Sequence, residues 1–386
     1  EQEFMHEPEV QGHAIQVRLY AEDPMRDFRP APGLISALSW PVKEKGLRID
    51  TWIESGLTVP AAFDPMLAKI IAHGQDRQQA REHLLSAIQD TRVDGLETNL
   101  TFLREALSLP DFVNGDQTTN STATVKLSAR GFEVLAPGTQ SSVQDVEGRT
   151  GYWHVGVPPS GAFDSQSMAR ANALVSNTAN AAGLEMLANG PVLHFTCDVA
   201  AALCGASTQA TIDGAMISHD AAFQIKAGQT LEIGRIAADG EGLRAYLAIS
   251  GGIDVPLVLG SQATFDLGIF GGHAGRALRT GDILAIGAPP ASVNPGAPPA
   301  LPLSERTLLR VVQGPHIAPD YLDGDYLDRF YSTPWTVHYN SSRTGVRLEG
   351  PKPGWARLDG GDAGLHPSNV HDNAYAFGAI DFTGDM

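Results

Sequence analysis

The stretch HAIQVRLYAEDP, residues 13–24, determines how the first part of the chain folds. Its apolar residues alternate with more polar ones, which predicts a β-strand with one buried face. Farther along, Asp76 is placed to cap a helix over RQQAREHLLSAIQD, whose apolar residues fall on one stripe. A second helix is predicted in ETNLTFLREALS. Strands followed by paired helices indicate an α+β domain over residues 1–115.

The rest of the chain has a different texture. Residues 116–132 are rich in Thr, Asn and Ser, which predicts a linker. From residue 133 to 386, short apolar runs alternate with glycine-containing turns, which is typical of a β-barrel or sandwich. One helix is predicted after Asp164, in SQSMARANALVS. The six prolines of residues 287–303 indicate a stiff connector, and we expect a second lobe from Leu308 onward.

Composition excludes several classes of function. The 386 residues include 44 acidic and 27 basic ones, for a net charge of −17, and such a surface repels phosphate backbones. No apolar run approaches about 18 residues, so we expect no membrane span. We also expect a cytoplasmic location, whose reducing conditions suit cysteines that stay unpaired. The two cysteines, Cys197 and Cys204, form no CxxC motif. A disulfide or part of a zinc site is possible in principle, but two buried free thiols fit better.

Three motifs of the first part belong together. GHAIQVRLYAEDP, FRPAPGLI and ESGLTVPAAFDPMLAKII resemble the C-terminal domain of biotin carboxylases, and the resemblance runs to about residue 115. In that family the Arg of the first motif lies beside biotin and bicarbonate, which implies a catalytic role for Arg18. A guanidinium group can stabilise negative charge as it develops there. The alternative is a simple ion pair of Arg18 with Glu22 or Asp23. Arg48 matches a dimer-interface position in that family, which implies a homodimer through this part.

The second part resembles a different family. VLAPGTQSSVQDVEGRTGYWHVGVPPSGAFDSQSMARANALVSN, residues 134–177, is similar to the start of the allophanate hydrolase subunit 2, or KipA-like, family. LAISGGIDVPLVLGSQATFDLGIFGGHAGRALRTGD and SSRTGVRLEGP extend the resemblance to about residue 351. That family implies cyclophilin-like β-barrels. The predicted fold class is thus an α+β biotin carboxylase C-terminal domain followed by mostly-β, cyclophilin-like barrel (KipA-like) lobes. Residues 133–386 form the carboxyltransferase region, which we expect to be truncated at its C-terminal end.

The order of the two parts resembles urea carboxylase and the closely related guanidine carboxylase. That resemblance implies a ligase that uses biotin on a carrier domain, with ATP and Mg in a nucleotide module. The partners it implies are urea or guanidine and the carboxybiotin carrier domain. The sequence contains neither module, so we expect a fragment that is inactive for the full reaction. Two alternatives are a KipA-like non-catalytic binding or regulatory subunit and an oxoprolinase-related subunit, and neither explains residues 1–115.

The last stretch, HPSNVHDNAYAFGAIDFTGDM, has the chemistry of a small polar pocket. His371 is the best general base by its ordinary pKa. Many urea carboxylases resemble NFTGD where this chain has DFTGD, and a carboxylate at Asp381 suits the guanidinium cation better than neutral urea. The alternative is ordinary turn chemistry of Asn, Asp and Ser. Further substrate-binding candidates in this stretch are Asn369, Tyr375, Thr383 and Asp385.

Three more candidates lie outside that stretch. Ser160 and Asp164, in GVPPSGAFD, are placed to line the rim of a pocket, although Asp164 is also a natural helix cap. Arg343 is a candidate for holding a carboxylate, and its alternative is an ion pair with Glu349. GIFGGHAGRAL lacks GK[ST], which favours a tight loop over a phosphate cradle. No metal site is predicted, because the two histidines of the last stretch lack a third ligand.

Overall fold

The computed structural model divides the chain into two compact units, Glu1–Glu305 and Arg306–Met386. Within the part of the chain that it describes, no helix is both long and apolar enough to cross a membrane. The cytoplasmic location stays a prediction. The described residues are 10–35, 37–42, 45–125, 130–236, 242–291, 297–299, 307–357, 360–361, 364–370 and 378–382.

The first unit opens with a small α+β domain, here called the N-terminal domain. The alternation predicted for its first strand is confirmed, since Ile15, Val17 and Leu19 are buried and the residues between them are exposed. Its strands are β1 (His13–Tyr20), β2 (Glu22–Asp23), β3 (Arg29–Pro30), β4 (Gly33–Leu34), β5 (Ala37–Ser39), β6 (Leu47–Thr51), β7 (Thr58–Val59), β8 (Met66–Gly74) and β9 (Arg92–Asp94). Its helices are α1 (Arg77–Asp90), α2 (Leu100–Ser108) and α3 (Pro110–Asn114).

The core of this domain forms between α1 and a three-stranded sheet. Strand β8 lies between β1 and β6, and both pairings are antiparallel. The Asp76 side chain accepts a hydrogen bond from Gln79 N at 2.8 Å, so the predicted helix cap is confirmed. The predicted apolar stripe is confirmed as well, because the buried residues of α1 are Ala80, Leu84, Ala87 and Ile88.

The rest of the first unit, here called the barrel, consists of two antiparallel sheets and one helix. The seven-stranded sheet has the order β16-β15-β18-β13-β10-β21-β20, and the five-stranded sheet has the order β11-β12-β19-β14-β17. The elements are β10 (Gly131–Ala136), β11 (Gln140–Gln144), α4 (Ser165–Leu174), β12 (Gly183–Leu187), β13 (Val192–Phe195), β14 (Val199–Gly205), β15 (Thr208–Ile212), β16 (Ala215–Met216), β17 (Ala222–Ile225), β18 (Thr230–Ile236), β19 (Arg244–Ile249), β20 (Ile253–Asp254) and β21 (Ile283–Ile286).

One apolar core lies between the two sheets. Phe132 and Phe195 of the seven-stranded sheet join Leu184 and Leu247 of the five-stranded sheet in it. Burial of alternate residues on each strand is what holds two antiparallel sheets face to face. The predicted fold class, an α+β domain followed by a mostly-β region, is confirmed. The boundaries at residues 115 and 132 stay predictions.

Helix α4 covers the outer face of the five-stranded sheet. Ala171 of α4 and Val175, which directly follows the helix, pack with Cys204 of β14 in a second apolar cluster. Both cysteines are free thiols, as predicted. Cys204 is buried, whereas Cys197 is only partly buried, because β13 ends just before it and the residue lies in the following turn.

The second unit has little regular structure among its described residues. Its elements are α5 (Tyr326–Ser332), β22 (Thr336–Val337) and β23 (Leu348–Glu349). Helix α5 is not among the helices predicted from sequence. An aromatic cluster supports it, in which Tyr326 and Phe330 contact Phe382 with ring centroids 5.6 and 5.5 Å apart.

Charged side chains connect the N-terminal domain to the barrel. Arg26 of the N-terminal domain forms an ion pair with Glu133 of β10. Asp282 of the barrel accepts two hydrogen bonds from Arg276, at 2.7 and 2.9 Å, and lies 3.5 Å from His273. Although burial alone would raise the pKa of Asp282, Arg276 and His273 hold that pKa well below its usual range.

Glu97 lies among these charges. Burial raises the pKa of Glu97 to about 7. The carboxylates of Asp23 and Asp282 add to this rise, while His273 and Arg26 oppose it. The interface therefore contains a carboxyl group that titrates near neutral pH instead of near pH 4.5.

Replacing Glu97 with Gln is expected to remove the loss of folding stability that occurs when the Glu97 carboxyl group ionises. The folded protein binds the Glu97 proton more tightly than the unfolded chain does, so wild-type stability falls, relative to Glu97→Gln, as pH rises from about 4.5 to about 7. The two proteins should be similar in stability at about pH 4, below the unfolded pKa, and the variant should be more stable at pH 8 by up to about 3 kcal/mol. Thermal unfolding across that pH range measures the difference. Glu54→Gln, at an exposed position of the same domain, is the control, and a difference that does not change with pH contradicts the prediction.

Candidate functional site

Two loops of the barrel, one after β11 and one between β20 and β21, meet at the buried carboxylate of Asp145. One of its oxygens accepts a hydrogen bond from Gly148 N at 2.9 Å. The other accepts hydrogen bonds from Ser261 Oγ and Gln262 N, both at 2.7 Å. A buried carboxylate is stable when several donors satisfy its oxygens. Asp145 thereby ties the loop that follows β11 to the loop before Phe265.

Arg149 links the same two loops from the other side. Its side chain is buried and donates hydrogen bonds to Val258 O, at 3.3 Å, and to Ala263 O. Its guanidinium group lies over the ring of Phe270, 5.1 Å from the centroid. Burial lowers the pKa of Arg149, while the charge of Asp145 acts in the opposite direction. Every one of these partners is a carbonyl or a ring, so Arg149 serves to fix the loops.

Two close backbone approaches explain the glycines of these loops. A Cβ atom on Gly148 would lie 2.3 Å from Pro159 O, and one on Gly271 would lie 2.2 Å from Ala263 O. Both residues also have positive φ, at 66° and 72°. Only glycine fits such positions. The predicted tight loop of GIFGGHAGRAL is confirmed.

The turn that contains Ser160 and Asp164 packs on this loop cluster. Arg149 N donates a hydrogen bond to Pro159 O at 2.7 Å. Asp164 caps α4 by accepting from Ser167 N at 3.0 Å, so the cap alternative is confirmed for its carboxylate. Ser160 has φ of 58°, a strained value for a residue with a side chain. Their role in substrate binding stays a prediction.

Two residues that hold this turn, Glu185 of β12 and Tyr246 of β19, escaped the sequence analysis. The buried side chains of Glu185 and Tyr246 accept hydrogen bonds from backbone N–H groups of the turn. The signal in the sequence was weak. Glu185 is an acidic residue inside the apolar strand GLEML, and Tyr246 looks like an ordinary core residue of AYLAIS.

Arg18 lies on the exposed face of β1. It is opposite Lys69 of β8, and Lys69 is in turn opposite Asp50 of β6. Lys69 Nζ lies 3.2 Å from Asp50 Oδ2. Among the described residues, the Arg18 side chain forms no ion pair, so the alternative pairing with Glu22 or Asp23 is not observed.

The second unit contains the other described candidates. His366, Ser368 and Asn369 form a local turn, in which Ser368 Oγ lies 2.8 Å from His366 Nδ1 and Asn369 N donates to His366 O at 2.8 Å. This arrangement supports the turn alternative for these three residues. Asp381 is exposed and directly precedes the anchored Phe382, and Arg343 is exposed in a loop.

Four predicted residues fall outside the described part of the chain, namely His371, Tyr375, Thr383 and Asp385. The structure brings Ser160 and Asp164 into one turn. It shows no hydrogen bond or ion pair between Asn369 and Asp381. Within the described ranges, no group of three or more His, Cys, Asp or Glu side chains is arranged to hold a metal ion.

Two family models match the chain. The model for the carboxyltransferase domain, subdomain A and B, matches residues 155–386. The model for the biotin carboxylase C-terminal domain matches residues 16–124. Both resemblances proposed from sequence motifs are thereby confirmed.

Similar proteins contain both parts in the same order. Urea amidolyase of Saccharomyces cerevisiae is 40% identical over 386 residues, which cover 98% of this chain and 21% of that protein. The crystal structure of Kluyveromyces lactis urea carboxylase matches with a TM-score of 0.89 and 43% identity, over 97% of this chain and 34% of that one. The chain spans well under half the length of either protein.

A third similar protein matches a smaller share of the chain. A 5-oxoprolinase subunit of Escherichia coli is 36% identical over 222 residues, which cover 57% of this chain and 68% of that protein. The chain therefore belongs to the carboxyltransferase domain family, subdomains A and B, and carries a biotin carboxylase C-terminal domain ahead of that region.

Proposed function

We propose that this chain is part of a biotin-dependent ligase that carboxylates a nitrogen of urea or guanidine. The observation that carries the proposal is the direct fusion of its two domains. Similarity to urea amidolyase and urea carboxylase covers 98% and 97% of this chain and so includes both of them. A subunit of the 5-oxoprolinase type accounts for the carboxyltransferase region alone and leaves the N-terminal domain unexplained, so it is the weaker proposal.

The residues of the N-terminal domain fit a role beside biotin. The Arg18 side chain extends from the exposed face of a rigid sheet, has no ion-pair partner among the described residues, and lies across from a second cation, Lys69. Because the Lys69 charge is offset by its ion pair with Asp50, Arg18 is the cation of this pair that is available to bicarbonate and other oxyanions. When bound on a carrier domain, biotin supplies the carboxyl group for transfer. Arg18 would orient the anion and stabilise the charge that develops on its oxygen atoms.

ATP and magnesium belong to the same proposal. The biotin carboxylase resemblance covers only the C-terminal domain of that family, at residues 16–124. We therefore propose that ATP and magnesium bind to another part of the complete enzyme and that the 386-residue chain alone does not activate bicarbonate. A homodimer through the face that contains Arg48 is also part of the proposal. That side chain is exposed, although it forms a 2.8 Å hydrogen bond with Asp50 within the chain.

The acceptor preference is proposed from Asp381. Its carboxylate is exposed and has no hydrogen bond or ion pair to any described residue, while the ring of the next residue, Phe382, anchors the backbone against α5. A free carboxylate on an anchored segment can form two charge-assisted hydrogen bonds to planar guanidinium. Urea, which is neutral, gains less from that charge. We propose guanidine as the preferred acceptor.

Removing the Arg18 guanidinium tests the biotin part of the proposal. In the complete enzyme, Arg18→Ala should lower kcat for bicarbonate-dependent ATP cleavage about 100-fold, because a preorganised donor to the developing charge is lost. Arg18→Lys should have a kcat between those of Arg18→Ala and the wild type, because lysine restores the positive charge but not the planar set of guanidinium donors. Arg104→Ala, at a surface arginine of α2, is the control. Full activity of Arg18→Ala would contradict the assigned role.

Exchanging the Asp381 carboxylate for an amide tests the acceptor preference. In the complete enzyme, Asp381→Asn should lower the ratio of kcat/KM for guanidine to kcat/KM for urea by about tenfold or more, since a charge-assisted hydrogen bond is lost only for guanidinium. Steady-state rates with each acceptor give the ratio. Asp320→Asn changes an exposed acidic residue of the same unit and should leave the ratio unchanged. An unaltered ratio in Asp381→Asn refutes the preference.

A further inference from the structure

The turn from Pro159 to Asp164 is fixed at almost every position. Pro159 O accepts from Arg149 N, and Ala162 N donates to Asp145 O, both at 2.7 Å. A Cβ atom on Gly161 would lie 2.9 Å from Gly148 N, so the backbones of the two loops touch there. These contacts hold the turn against the Asp145 loop cluster.

The five-stranded sheet fixes the other end of the turn. Glu185 of β12 and Tyr246 of β19 are directly paired across the strands. Glu185 Oε2 accepts a hydrogen bond from Phe163 N at 2.7 Å, and the Tyr246 hydroxyl accepts one from Asp164 N at 2.8 Å. Two side chains on a rigid sheet thus determine the direction in which the turn enters α4.

The charge of Glu185 is balanced within the same group. Arg244 Nε lies 3.4 Å from Glu185 Oε1, and the Arg244 guanidinium covers the Phe163 ring at 4.2 Å. Burial, and then the neighbouring Glu185, raise the pKa of Tyr246. The phenol therefore stays neutral and accepts the Asp164 hydrogen bond at any physiological pH. This group stabilises one conformation of the turn over a wide pH range.

Ser160 is the exception in this turn. It has the strained φ of 58°, is partly exposed, and its hydroxyl has no hydrogen-bond partner among the described residues. Strain of this kind persists only where the surrounding contacts impose it, and it is concentrated at functional sites. The neighbouring contacts therefore fix the backbone position of Ser160, and the hydrogen-bonding capacity of its hydroxyl stays unused among the described residues.

We propose that Glu185 and Tyr246 are positioning residues that fix Phe163 and Asp164 and thereby direct the Ser160 hydroxyl toward the carboxyl group being transferred. This inference rests on the proposed function, because that function supplies the carboxyl group. The hydroxyl donates a hydrogen bond to a carboxylate oxygen, and no covalent bond to Ser160 forms. Its contribution comes from orientation, which is lost when the turn can move.

Hydrogen exchange of the 386-residue chain tests the positioning without any cofactor. Tyr246→Phe removes the acceptor of the Asp164 amide, and Glu185→Gln weakens the acceptor of the Phe163 amide. Exchange at the affected amide should accelerate about tenfold in each variant. Glu232→Gln, at an exposed position of β18, is the matched control and should not change it.

Unchanged exchange at both amides would overturn the inference. If Tyr246→Phe fails to fold, Glu185→Gln decides the question, because glutamine has nearly the same shape as glutamate and replaces the charged acceptor of the Phe163 amide with a weaker, neutral one.

Kinetics of the complete enzyme test the link from the two residues to Ser160. Ser160→Ala and Tyr246→Phe should each lower kcat for acceptor carboxylation about tenfold, with KM for ATP and bicarbonate unchanged. The double variant should be no slower than Ser160→Ala, because Tyr246 acts through that hydroxyl. Additive losses, or a fully active Ser160→Ala, overturn the inference while wild-type carboxylation still supports the proposed function. If the wild type carboxylates neither urea nor guanidine, the proposed function fails, whereas hydrogen exchange still reports on the turn.

Discussion

The buried carboxylate of Asp145 is the interaction on which the barrel loops depend. Its two oxygens accept three hydrogen bonds, one from its own loop and two from a segment more than 110 residues farther along the chain. Because all its donors are neutral, a loss of any one of them would leave a buried charge poorly satisfied. The two loops are therefore held together by a group that tolerates little rearrangement. The Ser160 turn is rigid as well, because its backbone is hydrogen-bonded to the Asp145 loop.

The N-terminal domain and the barrel are connected by a different kind of contact. Apolar packing forms the core of each, but the side chains of Arg26, Glu97, Glu133, His273 and Asp282 meet between them. Charges in a partly buried interface are orientation-specific, because each must find its partner to offset the loss of water. Glu97 adds a dependence on pH near neutrality.

The candidate residues of the carboxyltransferase region differ in how many neighbouring groups fix their positions. Ser160 lies in a turn that three separate groups hold in place, with its hydroxyl left over. Asp381 has simpler surroundings. The ring of the next residue, Phe382, packs on α5, and the Asp381 carboxylate has no partner among the described residues. By contrast, His366 and Ser368 use their polar atoms on each other. Polar residues in one short stretch thus divide into those that bond locally and those that stay available for a ligand.

The sequence by itself determined strand β1, helices α1 and α4 and the order of the domains, but not helix α5. Strand β1, the caps at Asp76 and Asp164 and the buried stripe of α1 follow from local periodicity and local hydrogen bonding, which short segments encode. Shared motifs identified both families. The tertiary structure alone decided that Glu185 and Tyr246 meet the Ser160 turn, and that Arg26 meets Glu133, more than 100 positions away. When a side chain hydrogen-bonds to a backbone group far away in sequence, the residues around it show no periodic pattern that reveals the contact. Strand pairing and domain packing determine which partner it meets.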